Sequence, residues 1–347
     1  MLPAEVVDNL ARACVDCEGS GLSLFELGHR TKLFGTVLDE LIERVRRTLN
    51  VPDGFDVLFS PGGGTMQFSA VPLNLCTQGC RGAYVVTGHW SRAAYSEANR
   101  ITSAYLLWNG GNAPLPTARM EPARGTDFVF YCDNETIDGK EFPTPPELIK
   151  GDAALVADMS SNILSRPIDW SLHDVVFSSL QKNLGTAGAS LIVVRRDLYG
   201  SISERTPALL NWQKLARAGS MPNTPPVVAL YTALLMLRWL EREGGVAVMA
   251  ERALERSSVL YRALDAARPF YTAMVSESVR SRMNVVFDLP TERLRELFIA
   301  EASQKGLKNL AGHRTRGGIR ASLYNAMPVA GAQALASFIT EFAKRHA

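Results

Sequence analysis

The sequence lacks the features that mark several large classes of protein. None of its apolar runs reaches the roughly 18 to 20 residues of a membrane-spanning helix, and the N-terminus lacks the basic and then apolar pattern of a signal peptide. The formal net charge of the 347 residues is only +2, so no strong field favours nucleic acid or an acidic membrane surface. We therefore expect a soluble, cytoplasmic protein that acts on small molecules and binds neither nucleic acid nor membranes.

Cysteine is scarce, and the spacing of the few cysteines does not favour a metal site. The five cysteines are Cys14, Cys17, Cys76, Cys80 and Cys132. An odd set in a long chain predicts reduced thiols rather than a disulfide framework. The C-x-x-C and C-x-x-x-C spacings occur in zinc sites, but no tight knuckle of glycine and turn residues surrounds either pair. We predict structural cysteines and no bound metal.

The two common nucleotide-binding motifs are also absent. A glycine-rich turn, 61–65, follows the strand-like run 56–60, but it matches neither G-x-x-x-x-G-K-[ST] nor G-x-G-x-x-G. A nucleoside triphosphate or a dinucleotide is therefore disfavoured. A strand, a glycine-rich turn and a helix still present backbone N–H groups to an anion, so the turn remains compatible with a single phosphate group.

Polar and aromatic residues follow four strand-like runs of the sequence. They are the turn 62–65, the segments 88–90 and 134–136, and Asp158. If the strands are parallel, their carboxyl ends meet at one edge of a sheet, where ligands of open α/β sheets bind. Trp90 by itself is more typical of a core residue. The convergence of an anion cradle, an aromatic ring, a hydroxyl and a carboxylate favours a ligand site.

Asp158 and Lys182 are the candidate catalytic residues. Each stands at the end of, or just beyond, a short apolar run that is typical of a buried strand. A lysine, a carboxylate, an aromatic ring and a phosphate cradle are the parts of a pyridoxal phosphate site. Lys182 would bond to the cofactor aldehyde, and Asp158 would keep the ring nitrogen protonated. Trp90 would stack on the ring, and Thr136 would hydrogen-bond its phenolic oxygen.

The pattern of apolar residues changes in the last third of the chain. We predict an α/β protein with a large domain, residues 1–252, whose mainly parallel central sheet is flanked by helices, and a small C-terminal α/β domain, residues 253–347. The segment 209–221 is interpreted as an irregular surface excursion. Within the second domain, four basic side chains lie within eight residues, and we favour an anion-binding role for them over a solvated one. They are His313, Arg314, Arg316 and Arg320.

Six stretches of the sequence carry the motifs of one enzyme family. They are GHWSRAAYSEA, CDNETIDGKEF, VADMSSNILSRPID, QKNLGTAG, GSMPNTPP and GHRTRGGIRASLYNAMP. In collinear order from about Leu2 to the C-terminus, the sequence resembles the phosphoserine aminotransferases, which are fold type I, class V pyridoxal phosphate enzymes. The resemblance implies a reversible ping-pong transfer of an amino group from L-glutamate to 3-phosphohydroxypyruvate, giving O-phospho-L-serine and 2-oxoglutarate in L-serine biosynthesis. It also implies a homodimer whose active sites lie at the interface.

The resemblance implies cofactor contacts at nine positions of this sequence. Four of them, Asp158, Lys182, Trp90 and Thr136, match the roles given above. Asn223 and Thr224 match a pair that reaches the cofactor phosphate from the partner subunit, although both also stand where helix caps belong. The remaining matches contact the cofactor phosphate within the subunit and are Gly64, Thr65 and Gln181.

The same resemblance implies a set of basic substrate-binding residues. His29 and Arg30 match a pair that recognises the distal acidic group of the substrate from the other subunit. His313 and Arg314 resemble further contacts to that distal anion, and Arg320 matches the residue that binds the α-carboxylate.

The sequence departs from the family at three places and leaves two alternatives open. Members begin with a segment ending in Gly-Pro-Ala, which is missing before Met1, and we expect its absence to weaken the site. Some members have an arginine at the position of Thr65, and Arg316, apolar in many relatives, is the candidate to replace it. One alternative is a fold type I transaminase for another acidic or phosphorylated substrate, such as 4-phosphohydroxythreonine of pyridoxine biosynthesis. The other is a truncated homologue that binds the cofactor without turnover.

Overall fold

A computed structural model describes nearly the whole chain: residues 1–76, 80–110, 115–116, 118–149, 151–202 and 206–347. Within these residues the strands are β1 (Phe55–Pro61), β2 (Arg81–Val86), β3 (Ser103–Asn109), β4 (Thr126–Cys132), β5 (Asn134–Glu135), β6 (Lys140–Glu141), β7 (Ala154–Asp158), β8 (Val175–Ser179), β9 (Ala189–Arg195), β10 (Thr272–Ala273), β11 (Asn284–Asp288) and β12 (Ile319–Ser322). The α-helices are α1 (Ala4–Ala13), α2 (Lys32–Thr48), α3 (Gly64–Leu75), α4 (His89–Ala98), α5 (Trp212–Arg217), α6 (Val227–Arg242), α7 (Gly245–Ala266), α8 (Glu292–Gln304) and α9 (Val329–His346).

Seven strands form the central sheet in the order β1-β9-β8-β7-β4-β2-β3. The pairs β2/β3, β2/β4, β4/β7 and β7/β8 are parallel, and β9 runs antiparallel to both of its neighbours, β8 and β1. As predicted, the sheet is mainly parallel. The strands β1, β2, β4, β7 and β8 therefore all end at one edge, the edge at which ligands of such sheets bind.

Helices cover both faces of this sheet. Along β4, Val129 and Tyr131 belong to the buried cluster shared with α1, α2 and α6, whereas Phe128 and Phe130 belong to the cluster shared with α3, α4 and α5. Successive side chains of a strand point to opposite faces, so a strand between two helical layers needs apolar residues at almost every position. This requirement explains why the apolar runs of the sequence predicted the central strands.

A second, three-stranded antiparallel sheet, β10-β11-β12, has a buried core of its own with α8, α9 and the second half of α7. Met249 of α7 packs in the cluster of the central sheet, and Leu260 of the same helix packs in the second cluster. The domain boundary expected between residues 252 and 253 falls inside this continuous helix. The division into 1–252 and 253–347 stays a prediction.

Two sequence-based expectations are wrong. Cys76 and Cys80 form a disulfide, because the end of α3 brings their Cα atoms to 5.0 Å, within the range that a disulfide spans. The other three cysteines are free thiols. The segment 209–221 is not an irregular excursion: it contains α5, whose Trp212 is only 1% exposed and donates its backbone N–H to Asn74 Oδ1 at 2.8 Å. Among the described residues, no helix is both long and apolar enough to cross a membrane.

Two carboxylates hold the N-terminus of α4. Glu135 accepts hydrogen bonds from the backbone N–H groups of Trp90 and Ser91, both at 2.8 Å, and from Ser91 Oγ at 2.5 Å. Asp138 accepts one from the backbone N–H of His89 at 2.9 Å. Negative groups are favourable at the positive end of a helix dipole. Burial nevertheless raises the pKa of Glu135 to about 7, against the hydrogen bonds from Ser91, which lower it.

The titration of Glu135 predicts a pH dependence of stability. Because its pKa in the folded protein lies above the ordinary value of 4.5, folding favours the protonated form. We expect the free energy of unfolding to fall by up to about 3 kcal/mol as the pH rises from about 4.5 to about 7. Glu135→Gln should lack this part of the pH dependence in urea unfolding, whereas the exposed Glu341→Gln should retain it. Identical pH profiles for Glu135→Gln and the wild type would contradict the assignment.

Candidate active site

The carboxyl ends of the central strands enclose a pocket. Side chains and backbone from the turns after β1, β2, β4, β7 and β8 meet there, as the sequence pattern predicted. The lining consists of Gly64, Thr65, Phe68, Trp90, Cys132, Asn134, Thr136, Asp158, Ser160, Ser161, Ser179, Gln181 and Lys182. All of the cofactor residues predicted to act within the subunit are in this set.

Lys182 lies just beyond the end of β8 and points into the pocket. Its Nζ donates a hydrogen bond to Thr136 Oγ1 at 3.1 Å and stands 6.0 Å from the centre of the Trp90 ring. Thr136 and Trp90 are themselves coupled, because Glu135, the neighbour of Thr136, binds the start of the helix that carries Trp90. The amine, the hydroxyl and the indole thus form one connected group.

Asp158 is the last residue of β7 and is only 5% exposed. In the sheet it stands between Cys132 of β4 and Phe177 of β8. Its Oδ1 accepts a hydrogen bond from the backbone N–H of Ser160 at 2.8 Å. Burial raises the pKa of Asp158, and the contacts with Ser160 and the positive charge of Lys182 lower it. A cationic ring nitrogen placed against this carboxylate would stabilise its charged form.

The start of α3 forms a cradle suited to a phosphate group. The Gly64 N–H donates to Ser179 Oγ at 2.6 Å, and a Cβ built on Gly64 would stand 2.7 Å from the hydroxyls of both Ser160 and Ser179. Only glycine lets the helix start approach these hydroxyls so closely. Helix N–H groups and hydroxyl donors together match the chemistry of a bound phosphate, so the residues present fit the predicted cofactor.

The sequence-based site omitted several residues that the structure brings to the pocket. Ser160, Ser161 and Ser179 were not predicted, although the first two lie only two and three residues after Asp158 in the sequence. Asn134 lay in the predicted segment 134–136 but was given no role: its Nδ2 donates to Ser161 Oγ at 2.7 Å and to Asn284 Oδ1 at 2.8 Å. Asn284 belongs to β11, so Asn134 connects the pocket to the second sheet.

The basic loop before β12 lies beside the turn after β2. The His313 ring is 5.6 Å from the His89 ring, and the pKa of His313 is lowered by burial and by the positive charges of His89, Arg320 and Arg314. These four basic groups are therefore close together. Arg316, the candidate to replace an arginine at position 65, is instead ion-paired with Asp138.

Seven predicted residues lie outside the pocket lining that a single chain provides, within the described part of the molecule: the basic residues His313, Arg314 and Arg320, and the four residues expected from the partner subunit, His29, Arg30, Asn223 and Thr224. His29 is half-buried and Arg30 exposed in the loop before α2. Asn223 and Thr224 are exposed just before α6, whose N-cap is Pro226 without a side-chain cap hydrogen bond. Neither residue of that pair therefore caps the helix.

Comparison with known proteins agrees with this geometry. The model of the aminotransferase class-V family matches residues 1–335. Phosphoserine aminotransferase of Geobacillus kaustophilus is 41% identical, with 100% of this chain and 96% of that protein covered. The structure of phosphoserine aminotransferase from Bacillus circulans subsp. alkalophilus superposes with a TM-score of 0.95 at 33% identity, covering 100% of this chain and 97% of the other.

A pyridoxal phosphate-bound phosphoserine aminotransferase from Trichomonas vaginalis superposes with a TM-score of 0.92 at 34% identity, covering 98% of this chain and 97% of the other. These likenesses confirm the predicted fold type as well as the predicted family. The chain belongs to the phosphoserine aminotransferase family of the class-V aminotransferases.

Proposed function

We propose that this chain transfers the amino group of L-glutamate to 3-phosphohydroxypyruvate, forming O-phospho-L-serine and 2-oxoglutarate for L-serine biosynthesis. Membership of the family confirms the predicted enzyme class, a pyridoxal phosphate-dependent transaminase. The observation that carries the proposal is the pocket at the sheet edge, where Asp158 and Lys182 meet beside the cradle at Gly64.

Bound pyridoxal phosphate supplies an aldehyde carbon and an electron-withdrawing ring, which the protein side chains alone do not provide. Asp158 would keep a proton on the ring nitrogen, since its buried carboxylate favours a positive partner. Lys182 would hold the cofactor covalently through its Nζ and, once released by the substrate amine, would move the proton at the substrate Cα. Thr136 orients that Nζ, to which it is hydrogen-bonded at 3.1 Å.

The other predicted contacts fix the ends of the cofactor and of the substrate. Trp90 covers one face of the ring, and Gly64, Thr65 and Gln181 hold the phosphate. Arg320 binds the α-carboxylate, for which a guanidinium offers two parallel N–H donors. His313 and Arg314 bind the distal anion. A phosphorylated substrate with a longer carbon chain, 4-phosphohydroxythreonine, is a second candidate because the same basic groups would recognise it.

We place the active sites in a cytoplasmic homodimer in which each subunit completes the site of the other. His29, Arg30, Asn223 and Thr224 act in this arrangement from the partner subunit. Three exposed apolar residues that precede the basic pair in the sequence support it, since large exposed apolar groups are typical of interaction surfaces. Val15, Leu22 and Phe25 are 79%, 45% and 72% exposed.

Turnover of the predicted substrates is the direct test. We expect the purified holoenzyme to form 2-oxoglutarate from L-glutamate and 3-phosphohydroxypyruvate, read in a coupled dehydrogenase assay. A panel of other keto acids, phosphorylated and not, provides the comparison. Higher kcat/KM for a different keto acid would favour the alternative transaminase, and cofactor binding without turnover of any substrate would favour the non-catalytic homologue.

Lys182→Ala should lose the covalently held cofactor. Because the amine is the only group proposed to bond to the cofactor, the visible absorbance that survives dialysis in the wild type should disappear from the variant, and turnover should fall by at least about 10³-fold. Lys344→Ala, which removes an exposed lysine of α9, is the matched control and should keep both properties. Visible absorbance that persists in Lys182→Ala after dialysis would refute the assignment.

Complementation between subunits tests the shared site. We expect Lys182→Ala and Arg30→Ala homodimers to be impaired, and a heterodimer purified with two different tags to regain about half of the wild-type activity, because one of its two sites is intact. A heterodimer of Lys182→Ala with Asp158→Asn is the control. Both of these residues come from the same chain, so neither site is intact and no recovery is expected. Equal behaviour of the two heterodimers would contradict the dimer proposal.

A further inference from the structure

His89 lies next to Trp90, a residue of the pocket lining, and no role was predicted for it. It is the first residue of α4, and its ring packs edge-on against the ring of Trp90, with centroids 5.1 Å apart. On its other side the ring of His313 lies at 5.6 Å. His89 therefore stands between the indole that lines the pocket and the basic loop before β12.

Asp138 holds this arrangement from both sides. Its Oδ2 accepts the backbone N–H of His89 at 2.9 Å, and its Oδ1 accepts the Arg316 guanidinium. One carboxylate thus ties the start of α4 to the loop that carries His313. The side chains of Asp138 and Arg316 are only 12% and 17% exposed, so water screens the pair weakly.

The backbone N–H groups at the start of α4 already have hydrogen-bond acceptors. Glu135 and Asp138 accept the backbone N–H groups of the first three residues of α4, so a ligand at this place would meet side chains rather than the helix backbone. Those side chains are the imidazoles of His89 and His313 and the guanidinium groups of the basic loop and β12. Arg314 and Arg320 contribute to the positive field at His313, and the charge of Asp138 is balanced by Arg316.

We propose that His89 is a further specificity residue, which binds the distal phosphate of the substrate together with His313, and that Asp138 is the positioning residue that sets the two imidazoles opposite each other. The inference rests on the proposed function. His313 Nδ1 is hydrogen-bonded to Thr315 Oγ1 at 2.8 Å, so Nε2 is the ring nitrogen that would bind the phosphate. Two imidazoles beside arginines suit a phosphomonoester, which carries nearly two negative charges, better than a carboxylate with one.

Half-reactions of the holoenzyme with O-phospho-L-serine and with L-glutamate distinguish a distal phosphate from a distal carboxylate. We expect His89→Leu, which keeps the bulk against Trp90 but removes the N–H donors, to lower kcat/KM for O-phospho-L-serine about tenfold more than for L-glutamate. His346→Leu, on the distant helix α9, is the matched control and should leave the ratio unchanged. Equal losses for the two substrates, or no loss, would overturn the role of His89.

Asp138→Asn tests the positioning role. Since the Asp138 carboxylate acts through His89, Asp138→Asn should also lower kcat/KM for O-phospho-L-serine more than kcat/KM for L-glutamate. The cofactor absorbance should stay unchanged. The double variant His89→Leu/Asp138→Asn should lose little more than His89→Leu alone. Additive losses in the double variant would show that Asp138 acts independently of His89.

Binding of inorganic phosphate tests the role of His89 without the transamination reaction. Calorimetric titration of the holoenzyme should show phosphate binding about tenfold weaker in His89→Leu than in the wild type. If the wild type fails to convert O-phospho-L-serine, the proposed function fails, and the titration still decides the role of His89. Equal affinities in the titration would refute the role even in an active enzyme.

Discussion

A carboxylate buried at the end of a strand is the constraint on which the rest of the active site depends. Asp158 is 5% exposed, and burial raises its pKa, so its charged form needs positive or donor groups around it. The backbone N–H of Ser160 and the charge of Lys182 supply part of that stabilisation. Because β7 lies between β4 and β8, the turns after these neighbours are the ones within reach, and they carry Thr136 and Lys182.

Hydrogen bonds of the residue Asn134, which follows the central strand β4, connect the cofactor pocket to the second sheet. Asn134 lies two residues beyond the end of β4, and its Nδ2 donates to Asn284 Oδ1, while Ser281 Oγ donates to Asn134 Oδ1 at 2.6 Å. Asn284 begins β11, which pairs with β12 so that Val286 stands opposite Arg320. The guanidinium proposed to bind the α-carboxylate is thus placed through buried hydrogen bonds, whose loss would leave unpaired polar groups in a dry environment.

The sequence predicted the parts of this structure that depend on local pattern. The apolar runs that became β7 and β8 were recognised because strands covered on both faces are apolar throughout. The edge strand β3 was missed because it is half exposed and lacks that signature. The positions of Trp212 and Ser179 were also missed. The backbone N–H of Trp212 is bound by Asn74, and the hydroxyl of Ser179 by the backbone N–H of Gly64, and both partners are distant in sequence. The resemblance to a family supplied roles that spacing alone left open.

The role of Arg316 depends on its ion-pair partner, Asp138. In sequence it is one more cation in a basic loop and the candidate to replace an arginine at position 65. In the structure its guanidinium is bound by Asp138, which also holds the backbone of His89. An arginine already paired with a buried carboxylate contributes little net charge to a ligand, but it fixes the loop that carries the other cations. The positive charges that act on His313 therefore come from His89, Arg314 and Arg320, and the ion pair connects the start of α4 to the loop that carries His313.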